Sequence, residues 1–150
     1  MTHVVTSNGR QRVEIPSELG AERIIRLQPS LLDGTERFAT SLSRLPEGMR
    51  LRHELPLGWD SRFLQAAGSA EAMMVEVRKL DADGVERLYA IGRPVDDAQP
   101  VAKAEIRWRD RVDSVPANEV FDADEAGGLF WHYYQHDAIP DGYALRDLNV

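Results

Sequence analysis

Hydrophobic and polar residues alternate most clearly between Met73 and Ile91. Met73, Val75 and Val77 alternate with Met74, Glu76 and Arg78, and Val85, Arg87, Tyr89 and Ile91 alternate with Glu86, Leu88 and Ala90. This period of two, broken by Asp81-Ala82-Asp83-Gly84, predicts a β-hairpin over Met73–Leu80 and Val85–Ile91. Val101 to Arg109 repeats the pattern, with Ala102, Ala104, Ile106 and Trp108 on one face and Lys103, Glu105, Arg107 and Arg109 on the other. One wet face and one buried face suit an antiparallel sheet backed by helices. A smaller hairpin is expected around Asn8-Gly9, with Val4-Val5 before it and Val13 and Ile15 after it, because Asn-Gly favours a tight turn of positive φ. Pro16 to Gly20 interrupts the chain there.

Elsewhere the pattern is weaker. The run Arg23-Ile24-Ile25-Arg26-Leu27 reads as a short strand. From Asp33 or Thr35 to Leu45 the spacing of Phe38, Leu42 and Leu45 predicts a helix, capped by Thr35 and ended by Pro46-Glu47-Gly48. Residues 49–60 hold Pro56 and Gly58 and read as a loop, with room for a short strand from Met49 to Leu55. Residues 61–67 read as another helical turn or two, and Gly92 to Pro100 as a loop.

The C-terminal stretch gives the sharpest helix. A strand ends at Val115-Pro116. Asp122 then supplies an N-cap, and Glu125 stands at the capping-box spacing. Ala126, Leu129, Phe130, Tyr133 and Tyr134 follow the i, i+3, i+4, i+7, i+8 order of one apolar stripe. The glycines Gly127 and Gly128 lower helix propensity by roughly 2 kcal/mol together, which points to a close backbone approach at that place. An Ile139-Pro140-Asp141-Gly142 turn and a short last strand at Tyr143–Leu145 close the chain. These elements predict an α+β fold in a single domain over residues 1–150: an antiparallel sheet of about five strands with helices packed on one face.

Composition narrows the class. The chain has 150 residues, 43% of them hydrophobic and 29% charged, as in ordinary globular proteins. With no cysteine, disulfides, thiolate zinc sites and a cysteine nucleophile are excluded, and the cytoplasm is the expected location. No secretory leader and no membrane-length apolar run is visible. The net charge of −7 argues against a nucleic-acid binder. From Glu119 onward there are seven acids and one base, a net of −6, so the charge sits at one end. Such an end is expected to meet something basic.

The candidate chemistry is sparse. Trp131 points roughly 130° from the centre of the apolar stripe at about 100° per residue. It reads either as an interface anchor or as a ring covered by the N-terminal segment or residues 56–60. His132 and His136 have a spacing that can hold one metal ion, with Glu125 on the same side, but Tyr133 stands where a zinc metalloprotease needs glutamate. Solvated or edge histidines are the plainer reading. Ser61, Ser69 and Ser114 lack the glycines of a nucleophile elbow. Gly127-Gly128 matches no phosphate loop, and Asp81/Asp83 and Asp96-Asp97 read as turn residues. No cofactor is implied.

The stretch Val115–Leu148 resembles the Imm-type immunity proteins of bacterial polymorphic toxin systems. The matching features are Asp124-Glu125-Ala126 opening the helix, Phe130 and Tyr134 along it, and Pro140 after it. The chain departs from the family after the helix. Asp137-Ala138 replaces a Thr-Gly pair, Ile139 an arginine and Leu145 a tryptophan. The resemblance implies a non-catalytic protein that binds and blocks a cognate toxin with a basic surface. The expected partner-binding residues are Trp131, Asp122, Asp124, Glu125, His132, Asp137 and Asp141. The alternative is a small α+β enzyme or ligand carrier whose cavity is lined by Tyr89, Trp108, Tyr133, Tyr134 and His136.

Overall fold

The computed structural model describes residues 2–15, 19–96 and 101–150. Pro16 of the predicted break, and Asp97 and Pro100 of the predicted loop, lie outside the described residues. The fold is α+β. Among the described residues its main sheet has seven strands, all antiparallel, in the order β2-β1-β3-β4-β5-β6-β9. These are β1 (His3–Ser7), β2 (Gln11–Ile15), β3 (Ala39–Arg44), β4 (Phe63–Gly68), β5 (Met73–Leu80), β6 (Glu86–Gly92) and β9 (Ala144–Asp147). A separate hairpin joins β7 (Lys103–Trp108) to β8 (Arg111–Pro116). Helices α1 (Ala21–Leu27) and α2 (Ala123–His136) complete the fold.

The strongest sequence patterns become the elements they predict. The β5–β6 hairpin buries Met73, Val75 and Val77. In the first hairpin Asn8 and Gly9 take φ of +52° and +70°, and the Arg10 amide donates to the Ser7 carbonyl at 3.0 Å. On α2, Ala126, Leu129, Phe130 and Tyr133 are all buried.

Three weaker expectations are corrected. Residues 23–27 belong to a helix, because Ala21 and Ile25 share one buried face at helical spacing and Glu22 lies 3.7 Å from Arg26 one turn on. The region from Thr35 to Leu45 is not a helix. The Asp33 carboxylate caps a turn by accepting the Thr35 and Arg37 amides, at 2.8 Å and 3.1 Å. The chain then runs as β3 between β1 and β4. Residues 61–67 mostly form β4, where Leu64 and Ala66 are buried and their neighbours are half-buried. In both strands, pairing on two sides outweighs an indifferent local preference. Residues 49–60 contain no strand, in keeping with the loop expectation.

Register shows how the core is built. Val5, Leu42, Leu64, Val77 and Tyr89 stand side by side across five strands, since Val5 pairs with Leu42, Leu42 with Leu64, Leu64 with Val77 and Val77 with Tyr89. Both helices pack on this face, closing a core that includes Ile25, Phe121, Leu129 and Phe130. On the opposite face Glu76 is half-buried, accepts a 2.6 Å hydrogen bond from Gln65, and has its pKa raised by burial. The β7–β8 hairpin is tied on at its turn, where the Arg109 amide donates to Gly34 at 2.7 Å.

Candidate functional site

The two ends of α2 meet different surroundings. At the N-terminal end the Asp122 carboxylate accepts the Glu125 amide at 3.0 Å, the cap that the sequence predicts. Glu125 does not close a capping box. Its carboxylate takes the Arg93 guanidinium and the Tyr143 hydroxyl instead, the latter at 3.0 Å. The glycine pair is also explained here. A Cβ on Gly127 would lie 2.7 Å from the Arg26 carbonyl oxygen, so α1 and α2 touch backbone to backbone, whereas Gly128 meets nothing nearer than Arg26 Nη1 at 3.7 Å.

At the C-terminal end the helix opens onto a groove of about 820 Å³. Asp137 ends α2 with a φ of +55°, its amide donating to the Tyr133 carbonyl at 2.8 Å. The turn that follows, through Pro140 and Gly142, forms one wall, and the loop from Pro56 to Ser61 forms the other. Tyr133 lines the groove between them. Its side chain is buried, with only 3% of the residue exposed. Burial, and then the nearby Asp137 carboxylate, raise its pKa, while Arg62 and Arg44 pull the other way. The phenol is therefore a protonated donor at neutral pH.

The sheet contributes a row of bases. Two residues along from the apolar row, the register pairs His3 with Arg44 and Lys79 with Arg87. One step beyond the paired residues of β4, Arg62 falls between Arg44 and Lys79. Strands lie about 4.8 Å apart, so four cationic side chains start from neighbouring positions on the face that carries α2. Most are firmly paired. Arg44 meets Asp137 at 3.3 Å, Lys79 meets Asp81 at 3.0 Å, and Arg87 meets both Asp81 and Asp83 at 2.7 Å. The Tyr89 hydroxyl, Arg87 and Lys79 together hold the Asp81 carboxyl well below the usual range. Arg62 is held most loosely, 3.6 Å from Glu86 with 58% of its side chain exposed. His3, at the head of the row, is buried against Tyr134 at 4.4 Å between ring centroids, and neither ring nitrogen has a partner among the described residues. Burial first, then Arg44, lower its pKa to about 4, with Asp137 opposing.

Comparison with known protein families, curated proteins and solved structures gives no match. The site therefore rests on its own geometry.

The residues expected to bind a partner separate. Asp137 and Asp141 line the groove. Asp122 and Asp124 lie at the other end of α2, roughly 20 Å away at about 1.5 Å per residue. There Asp122 caps the helix and Asp124 borders a second, shallower groove with Arg23 and Arg26. Glu125 is engaged with Arg93 and Tyr143. Trp131 is partly buried against the core and stacks on Tyr134 at 5.3 Å, so its outward direction does not leave it bare. His132 places Nδ1 2.9 Å from the Ala138 carbonyl and its ring 4.3 Å from His136. Among the described residues, no group of three or more potential ligands could hold a metal.

The acidic end is less acidic than its sequence. Glu119, Glu125 and Asp137 pair with Arg146, Arg93 and Arg44, two of which come from outside the segment. Of the five residues expected to line an aromatic cavity, only Tyr133 lines the larger groove. Tyr89 donates to Asp81 at 2.5 Å, Trp108 packs near Phe38 on the separate hairpin, Tyr134 stacks on Trp131, and His136 is exposed. Arg44, Arg62 and Lys79 were not among the expected site residues. Arg44 and Arg62 fall in stretches whose local pattern reads as helical, so their shared row emerges only from the strand register.

Proposed function

We propose that this chain is a cytoplasmic, non-catalytic binding protein of the immunity type, which neutralises a cognate toxin by taking a segment of it into the groove beside the C-terminal end of α2. One observation carries this reading. The stretch that resembles immunity proteins, Val115–Leu148, supplies a whole wall of that groove through Asp137, Pro140, Gly142, Tyr143 and Leu145. Charged groups of both signs and exposed rims suit a protein segment better than a small apolar ligand, whose sites are mostly enclosed and apolar. Leu57 is fully exposed on the opposite rim and offers apolar contact. The remaining net negative charge steers a basic toxin surface toward the protein, and the groove supplies the specific contact.

The test is capture from the native cell lysate at low and high salt, comparing wild type with a Leu57→Arg/Asp141→Arg variant. Expected is a stoichiometric partner that is toxic alone, is neutralised by co-expression with wild type, and is lost with the variant. Equal capture and equal protection by both proteins would show that the groove is not the working surface.

A further inference from the structure

We infer that the floor of this groove is a carboxylate-recognition site, in which the Arg62 guanidinium and the Tyr133 hydroxyl take an acidic side chain of the bound segment. The inference rests on the partner-binding reading above and adds the chemistry of what is bound. Like charges facing each other across strands are destabilising, so a row running Arg44, Arg62, Lys79, Arg87 has a cost unless anions compensate it. Within the protein the compensation is uneven. Asp137 serves Arg44, while Asp81 and Asp83 serve Lys79 and Arg87. Arg62 has the longest ion pair of the row and a largely exposed head group, and so keeps donors for an incoming ligand. Near it stands the hydroxyl of the buried Tyr133, close enough for Arg62 to act on its ionisation. Both Arg62 and Tyr133 line the same groove.

The donors select the ligand. The guanidinium fork of Arg62 fits the two oxygens of a carboxylate, which would take the place of the loosely held Glu86, and the neutral Tyr133 phenol adds a further donor. A phosphate dianion would bring a second charge close to Asp137, whose field already reaches the Tyr133 hydroxyl. The groove, at about 820 Å³, holds far more than a carboxylate. Trp59 and Ile139 on its walls are placed to contact the residues flanking the acidic side chain.

The test is an NMR titration of the full chain, labelled at tyrosine rings and arginine side chains, at constant ionic strength. The probes are N-acetylglutamate methylamide, its glutamine analogue and inorganic phosphate. The expected result is saturable shifts at Tyr133 and Arg62 with the glutamate probe, and none with glutamine. Affinity should fall by about tenfold or more in Arg62→Gln and by less in Tyr133→Phe, with Arg62→Lys intermediate because it keeps charge without the fork. Equal response to the glutamine probe, tighter binding of phosphate, or no saturable response would overturn the carboxylate site. A toxin still bound by Arg62→Gln but lost with the Leu57→Arg/Asp141→Arg variant would overturn this site alone and leave the binding groove standing.

Discussion

At its N-terminal end α2 is mostly closed, and at its C-terminal end it is open. Near Asp122 most prominent groups are engaged within the protein, in the helix cap, in the Arg93–Glu125–Tyr143 cluster, or in the seating of Gly127 on the Arg26 carbonyl, and Asp124 borders only the shallower groove. Near Asp137 the buried Tyr133 lines the groove, and Arg62 keeps a loose ion pair. On the proposed reading, the same helix presents charge as structure at one end and as recognition at the other. A count of acids along the sequence cannot separate these uses, because pairing partners lie far away in the chain. Glu125 meets Arg93 and Asp137 meets Arg44 only after the sheet has formed.

The largest expected break in this contrast is at the open end and depends on pH. His3 is neutral in the folded protein, with its pKa lowered to about 4 by burial and by Arg44, against about 6.5 in an unfolded chain. The folded state therefore binds fewer protons than the unfolded state between these values. The stability associated with the neutral ring is complete above pH 6.5 and is lost as pH falls toward 4, on the order of 3 kcal/mol in all. Urea unfolding across that range should show the loss, and His3→Leu should remove most of it. An identical pH profile in the variant would mean that other groups set the acid limb.

The closed end gives the next effect. Gly127→Ala is expected to destabilise the protein by about 1–3 kcal/mol, since backbone overlap with Arg26 outweighs the roughly 1 kcal/mol that alanine adds to a helix. Gly128→Ala, with only a flexible guanidinium nearby, should stabilise by up to about 1 kcal/mol. Thermal or urea melts of the two variants check the pair, and a shift of the same sign in both would contradict the close contact between α1 and α2.

The helix and the β5–β6 hairpin were legible in the sequence because their apolar positions contrast sharply with their neighbours and their ends carry turn or capping residues. Strands β3 and β4 were not. Ala39-Thr40-Ser41-Leu42-Ser43 and Leu64-Gln65-Ala66-Ala67 are built largely of small residues, whose alternation is faint, and Phe38, Leu42 and Leu45 happen to share a helical spacing. Their strand state comes from being flanked on both sides by other strands. Losing those two strands also hid the basic row, which exists only when β3 to β6 are set in register. The aromatic residues offered a different difficulty. The alternative expectation set them around one α+β cavity, but Tyr89, Trp108 and Tyr134 settle against separate partners.

The most direct test of the contrast compares Arg62→Gln with Arg93→Gln, each assayed for urea stability and for binding of N-acetylglutamate methylamide. A crossed result is expected. Arg93→Gln loses about 1–3 kcal/mol of stability, because the Val120 carbonyl and Glu125 lose the guanidinium and the Phe121 ring loses the cation above it, and binds the probe like wild type. Arg62→Gln keeps its stability within about 0.5 kcal/mol and loses the probe. Loss of binding in Arg93→Gln with binding intact in Arg62→Gln would contradict the assignment of structure to one end of α2 and recognition to the other.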